Sequence, residues 1–227
     1  MKLRDVNQII ITNFAPKYKK ETLLNILKMR KIRLIVLAAF AAISMSASAQ
    51  EPFGTFYFQY NLTYLKSGEK TNLLYNDKER FNQLTLGYNY ATPLFSIPLF
   101  LEFGGAFQWA FKSGDGYKAN VLALKAPINL VFSLDVSEDF KIQPYGGFYG
   151  RVNLLAKTKP DEAESINWFD HPSVDAKRFQ VGVNAGLRFT IGQSVTIGAG
   201  YYRDLMDISK ARKAYFEGWD FTIGMVI

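Results

Sequence analysis

Apolar and polar positions alternate with period two through most of the chain beyond residue 55. The last nine residues show it most cleanly: Trp219, Phe221, Ile223, Met225 and Ile227 share one face, with Asp220, Thr222, Gly224 and Val226 opposite. The chain ends on the apolar face. A soluble sheet rarely leaves its hydrophobic row at a terminus with Asp220 and Thr222 on the other side, so this strand requires an apolar solvent outside. A closed barrel in a lipid bilayer supplies it, because lipid-facing and lumen-facing side chains alternate and closure leaves no unpaired backbone edge.

Seven further segments carry the same alternation. The first sets Phe56, Phe58, Tyr60, Leu62 and Tyr64 against Tyr57, Gln59, Asn61 and Thr63. The second sets Leu84, Leu86, Tyr88 and Tyr90 against Gln83, Thr85, Gly87 and Asn89. The third sets Leu99, Leu101, Phe103, Phe107, Trp109 and Phe111 against Glu102, Gly104, Ala106, Gln108 and Lys112, and the fourth Leu122, Leu124, Ile128, Leu130 and Phe132 against Lys125, Pro127 and Asn129. The fifth is less regular and has the most polar inner row, with Ile142, Phe148, Val152 and Leu154 outside and Lys141, Gln143, Tyr145, Tyr149, Arg151 and Asn153 inside. The sixth pairs Phe179, Val181, Val183, Leu187, Phe189 and Ile191 with Gln180, Asn184, Arg188 and Thr190; the seventh pairs Val195, Ile197, Ala199 and Tyr201 with Thr196, Gly198, Gly200 and Tyr202. Eight strands result, each near the roughly nine to eleven residues that cross the hydrocarbon at a tilt. An even count returns both ends of the chain to one side.

The connections alternate in length as well. Short gaps at residues 91–98, 135–139 and 192–194 separate longer, more polar ones at 66–80, 113–119, 156–178 and 207–218. This asymmetry matches tight periplasmic turns and longer outside loops, and it orients the expected barrel with both termini periplasmic. Trp109, Phe111 and Trp219 then fall in one outer aromatic girdle. A soluble sandwich or a lipocalin-like secreted barrel also alternates, but its apolar row is the interior one and its other row is rich in Lys, Glu and Ser. Here the second row is small and weakly charged, dominated by Gly, Ala, Asn, Gln and Thr, which suits a crowded polar lumen.

The amino-terminal region alters the charge balance. Residues 29–49 read as a signal peptide, with Arg30, Lys31 and Arg33 as basic region, an apolar run over 34–43 and Ala47-Ser48-Ala49 as cleavage site, so the mature chain starts at Gln50. That apolar run is too short for a spanning helix, which requires ~20 residues. Residues 1–28 precede a complete leader without a pattern of their own and read as a gene-model extension, with residues 50–227 as one barrel domain. Of the 27 Lys/Arg and 20 Asp/Glu, residues 1–49 hold nine and two, leaving 18 of each in the mature chain. The mature protein is neutral, and the basic pI is no sign of nucleic-acid binding. The absence of cysteine excludes a disulfide scaffold, a thiolate metal site and a cysteine nucleophile. An aromatic content of 15% fits a membrane barrel better than an average soluble domain.

An eight-stranded barrel of OmpA/OmpX size is just wide enough for its inward side chains to fill. The expected lumen holds Glu102, Lys125, Lys141, Arg151, Arg188, Asp204 and Asp220, a possible ladder of buried ion pairs. Two readings follow: a structural plug, or a gated conduit for ions or small solutes. In the longest loop, His171 stands near Asp170, Ser173 and Asp175. Those are ingredients of acyl-transfer chemistry at a membrane surface, but without a nucleophile elbow they read more simply as turn residues. The acidic group Asp161, Glu162 and Glu164 lacks the spacing of a calcium loop. No catalytic residue, metal site or cofactor is expected. Lys210, Arg212 and Lys213, beyond the seventh strand, are placed to meet lipopolysaccharide phosphates or to stand as solvated surface charge.

Several segments also resemble a known family. The run Leu122-Ala123-Leu124-Lys125-Ala126-Pro127-Ile128-Asn129-Leu130, then Pro144-Tyr145-Gly146-Gly147, then residues 179–190 with Gly182 and Asn184-Ala185-Gly186, and residues 201–208 resemble the PorT-like family of bacterial outer-membrane β-barrels. The resemblance implies an eight-stranded barrel and, for some members, a link to protein secretion across the outer membrane; it implies no catalytic residues. The expectation is an all-β, eight-stranded antiparallel transmembrane β-barrel behind a signal peptide. It is a monomeric protein of the outer membrane of a Gram-negative bacterium, with a filled polar lumen and a structural or surface-interaction role centred on residues 156–178. A secretion accessory, a small-solute channel and a lipid A-modifying enzyme are the alternatives. Its expected partners are outer-membrane lipids and lipopolysaccharide, and a secretion or surface protein, but not nucleic acid.

Overall fold

The computed structural model describes residues 51–67, 78–114, 116–172, 174–210 and 213–227. The expected extension and leader, most of the 66–80 connection, Ser173 and Arg212 lie outside the described residues. Eight long strands run in chain order: β1 (Phe53–Ser67), β2 (Lys78–Leu94), β3 (Leu99–Gly114), β4 (Tyr117–Phe132), β5 (Phe140–Pro160), β6 (Phe179–Ile191), β7 (Val195–Asp204) and β8 (Ala214–Val226). Two short strands, Leu134–Ser137 and Ile166–Asn167, add to β5. Each long strand pairs antiparallel with its neighbours in sequence, and β1 pairs with β8, closing the sheet into a barrel. At the seam Gly54 and Ile227 exchange two backbone hydrogen bonds of 2.9 Å, so the last residue belongs to the ladder.

Alternation decides which side chains face in. On β1, Phe56, Phe58 and Tyr60 are exposed on the outer wall while Thr55, Tyr57, Asn61 and Thr63 are buried inside. The outward apolar row recurs in Leu86, Phe107, Leu124, Ile128, Phe148, Ile197, Phe221 and Ile223. Such a belt is unstable in water and stable in hydrocarbon. Towards the loop end, Phe111, Asn82, Leu62, Trp219 and Tyr201 occupy one continuous register row. The Trp109 and Phe111 rings lie 4.9 Å apart, those of Tyr201 and Trp219 5.2 Å, and Trp109 Nε1 donates to Asn120 Oδ1 at 3.2 Å. The expected girdle is thus present.

The strands are longer than their membrane-crossing parts, and this corrects two of the expected loops. In the expected 113–119 connection β3 and β4 pair to their tips at Gly114 and Tyr117, where Gly114 and Gly116 adopt φ of 118° and 79°. Likewise β8 begins at Ala214, with Ala214 opposite Ser67, so the last five residues of the expected 207–218 connection are strand. Periodicity alone cannot mark where a strand leaves the bilayer, since pairing continues wherever neighbours are available.

One irregularity has wide effect. Between β4 and β5 the register runs Leu122 to Leu155 and then Ala123 to Asn153, leaving Leu154 as an extra residue. A bulge of this kind exchanges the two faces of the strand beyond it. Arg151 and Asn153 point inward below it, Ala156 is buried inside above it, and Lys157 and Lys159 are exposed.

Candidate functional site

The barrel interior has three layers. At the terminal end Ala91, Phe100 and Val131 are buried together, packed against Phe53 and Tyr145. At the loop end a larger apolar cluster joins inward residues of the strands, including Leu65, Phe81, Val121, Ala156 and Phe216, to Trp168, Ala176 and Ile208 from the connections. Phe81 and Phe216 meet edge to face at 5.9 Å. Between these layers lies a polar waist.

Paired charges organise the waist. Arg188 Nη2 lies 2.7 Å from Glu102 Oε2, and Glu102 Oε1 accepts hydrogen bonds from Asn89 at 3.0 Å and Asn129 at 2.9 Å. Asn184 Nδ2 donates in turn to Asn129 Oδ1 at 3.0 Å. Nearer the loop end, Arg151 Nη2 lies 2.5 Å from Asp204 Oδ2, the Tyr149 hydroxyl donates to Asp204 Oδ1 at 2.7 Å, and the Phe216 amide donates to Oδ2 at 3.3 Å. Both pairs are buried, so each supplies the partner without which an interior ion costs several kcal/mol, on the order of 3–5 when one member is removed.

Lys125 and Asp220 behave differently. Among the described residues they make no direct ion pair. The Lys125 ammonium sits 4.3 Å from the centroid of the Tyr149 ring and 5.4 Å from that of Tyr202, within the range of cation–π attraction. Asp220 accepts from Gln59 at 3.4 Å and from the Tyr145 hydroxyl at 3.5 Å. Both residues line a polar cavity of about 30 Å³, together with Gln59, Glu102, Tyr145 and Arg188. That volume has room for about two waters.

Lys141, expected in the lumen, lies at the terminal rim, where its ammonium is 3.4 Å from Asp135 and both side chains are substantially exposed. Leu134–Ser137 pairs with the start of β5 and puts Asp135 opposite Lys141, a pairing hidden within an expected turn. The other six charged residues are inside and buried, three cations against three carboxylates.

The tyrosines of the waist fit because glycines face them. A Cβ on Gly182 would stand 2.2 Å from the Tyr149 ring, and one on Gly186 2.6 Å from the Tyr145 hydroxyl. Large and small residues across neighbouring strands thus fill the section.

The loop end is covered by an ordered lid. Trp168 is buried; its amide donates to Ala156 O at 2.9 Å, its indole Nε1 to Thr158 Oγ1 at 2.8 Å, and its carbonyl accepts from the Ala176 amide at 2.9 Å. Ala176 bridges to Ser209, and the Lys177 amide donates to Ile208 O at 2.6 Å, tying the two long connections together. His171 serves this turn through its carbonyl, which accepts from the Val174 and Asp175 amides at 2.9 and 2.8 Å. Asp170 accepts from Asn167, and Asp175 lies 3.2 Å from Lys210, so the loop carboxylates are engaged apart from one another. Asp161, Glu162 and Glu164 are exposed in the turn after β5, and Lys213 is exposed before β8.

The apolar layers are the part that alternation misses. Their signal is a change of residue type within the inward row: Leu65 follows Asn61 and Thr63, Phe81 precedes Gln83 and Thr85, and Phe100 precedes Glu102.

Known proteins match this architecture. The structure of Neisserial surface protein A (NspA) aligns with a TM-score of 0.51 and 10% identity over 78% of this chain and 99% of that one. The outer membrane enzyme PagL aligns with a TM-score of 0.51 and 9% identity over 75% and 97%. Ail, the attachment invasion locus protein of Yersinia pestis, aligns with a TM-score of 0.47 and 16% identity over 78% and 100%. At these identities the likeness is one of fold. Among curated proteins none matches. The outer membrane protein beta-barrel domain family matches residues 35–226, so the chain belongs to that family and is an integral protein of the cell outer membrane.

Proposed function

We propose that the protein is a structural or surface-interacting barrel of the outer membrane, with its termini periplasmic, whose lumen is a plug and whose contacts are made by the lid. The observation that carries this reading is the layered interior. A waist of buried ion pairs lies between two apolar layers, and Trp168 anchors the lid to the upper one. A solute crossing the barrel would have to part both layers and break the pairs, whereas a partner approaching from outside meets an ordered lid. The exposed Leu205 and the exposed turn at residues 161–165 are available for contact there.

The alternatives make different demands. A conduit requires stable conductance when the refolded protein is placed in planar bilayers; the plug reading expects none, and a reproducible open level would overturn it. A lipid A-modifying role requires a change in lipid A mass when His171→Ala is expressed, and the plug reading expects no change. We infer kinship with the PorT-like barrels from the segments at 122–130 and 144–147, and with it a second reading as a secretion accessory. The deciding experiment is a pull-down from native outer membranes with and without residues 161–172. A protein partner lost with the lid favours surface interaction, and identical profiles would defeat it.

A further inference from the structure

The outer wall of the barrel carries its cations unevenly. On the β8 side three are matched and Lys213 is not: Lys66 pairs with Glu217, Lys210 with Asp175, and the Arg203 guanidinium lies 4.5 Å from the Tyr215 ring centroid, while Lys213, just before β8, is exposed. Across the barrel, on β4 and β5, Lys118, Lys157 and Lys159 are exposed, as is Arg80 on β2, two strands from β8, and among the described residues none of the four makes an ion pair. Lys118 stands directly opposite Lys159 in the β4–β5 register, and Lys157 opposite Asn120. Like charges facing each other across a strand pair destabilise it. Asp161, Glu162 and Glu164 follow β5 closely yet form no ion pair with these cations.

The bulge at Leu154 is what puts two of these lysines outside. Without the extra residue, the inward parity of Arg151 and Asn153 would continue, Lys157 and Lys159 would point into the lumen, and Ala156 would face out. The register break therefore removes two charges from the apolar layer and adds them to the outer wall. Their height is defined by the girdle. Asn120, which accepts from the Trp109 indole, is in register with both Phe111 and Lys157, and Lys118 and Lys159 lie two residues further outward. Aromatic girdles sit at the headgroup level of a bilayer.

We propose that this face of β2, β4 and β5 is a docking site for the phosphate groups of an anionic glycolipid of the outer leaflet. The phosphates supply a counter-charge that no described residue supplies there, and the outward aromatic and aliphatic side chains below receive the acyl chains. The inference is independent of whether the lid recruits a partner.

The test uses refolded full-length chain in zwitterionic micelles, titrated with fluorescently labelled bis-phosphorylated lipid A and with its dephosphorylated form. Wild type should bind the phosphorylated form more tightly. Lys118→Gln/Lys157→Gln/Lys159→Gln should weaken that binding on the order of 100-fold, at roughly one surface-cation increment per lysine. Lys210→Gln/Lys213→Gln should leave it unchanged. Gel mobility before and after boiling checks that each variant folds. If the triple variant does not, Arg80→Gln and Lys157→Gln alone should each weaken binding severalfold, and no effect of either overturns the proposal. Equal binding of both lipid forms by wild type, or equal weakening by the two lysine sets, would also overturn it. So would displacement by inorganic phosphate beyond that by sodium chloride of equal ionic strength, which would indicate a site for free phosphate.

Discussion

The waist and the ends of the lumen reach the same result, a filled interior, by opposite chemistry. The waist buries Glu102, Arg188, Arg151 and Asp204 with every charge of these pairs answered; the loop end is built mainly on Leu65, Phe81, Val121, Trp168 and Phe216, with one ion pair, Lys112 to Glu79 at 3.8 Å, at its margin. Apolar packing tolerates imprecision, because each contact is small and nondirectional. A buried ion pair does not, because its desolvation is repaid only when the geometry holds. The waist should thus fail sharply when one member is removed, and the ends gradually.

The largest effect belongs to Glu102. Replacing Glu102 by Ala leaves the Arg188 guanidinium unpaired and strips a shared acceptor from Asn89 and Asn129. We expect a loss of about 3–5 kcal/mol, read as a lower urea midpoint for the folded band in lipid vesicles. Glu102→Leu/Arg188→Leu should recover most of that loss, since an apolar pair needs no counter-charge. If the double variant is as unstable as the single one, geometry rather than charge dominates the waist.

Trp168→Ala tests the loop end. It removes a buried indole and its hydrogen bond to Thr158, at a cost of about 3 kcal/mol, the low end for such a truncation because a lid can settle into the gap. The loss should appear first as faster proteolysis of residues 161–178 and only later as barrel unfolding. Simultaneous loss of both would mean that lid and barrel are one cooperative unit.

Gly182→Ala comes next, at about 1–3 kcal/mol for overpacking. The added Cβ would meet the Tyr149 ring at 2.2 Å and Arg203 O at 2.7 Å, and the ring cannot swing aside while Asp204 holds its hydroxyl. An unchanged urea midpoint would show that the waist has slack.

These contrasts bear on what a reader of the sequence could see. The inward placement of Glu102, Lys125, Arg151, Arg188 and Asp220 was legible, because face is a matter of parity and parity survives along an unbroken strand. Parity fails at a bulge, so Lys157 and Lys159, read as loop residues, required the register between β4 and β5. It also says nothing of height. Lys141 shares the inward row of β5 yet stands at the rim beside Asp135, because its neighbour is a short strand concealed within an expected turn. Pairing partners across strands, such as Arg151 with Asp204, depend on tilt and stagger that no single segment encodes.

The smallest expected effect lies at the outermost edge of the loop end, where the comparison should vanish. Lys210 lies 3.2 Å from Asp175, with their side chains 63% and 42% exposed. Water already solvates both groups, so the pair gains little Coulomb energy and loses side-chain freedom in forming. Lys210→Ala should cost about 0.2–1 kcal/mol at most and nothing at high salt, where a screening length of roughly 3 Å at 1 M removes the attraction. The Lys210 amide, which donates to Asp175 O at 3.0 Å, is untouched by the substitution, so the tie between the two connections should persist. A salt-independent loss above that range, measured as the shift in urea midpoint between low and high salt, would place this pair with the charges of the waist and extend the electrostatic layer up to the rim.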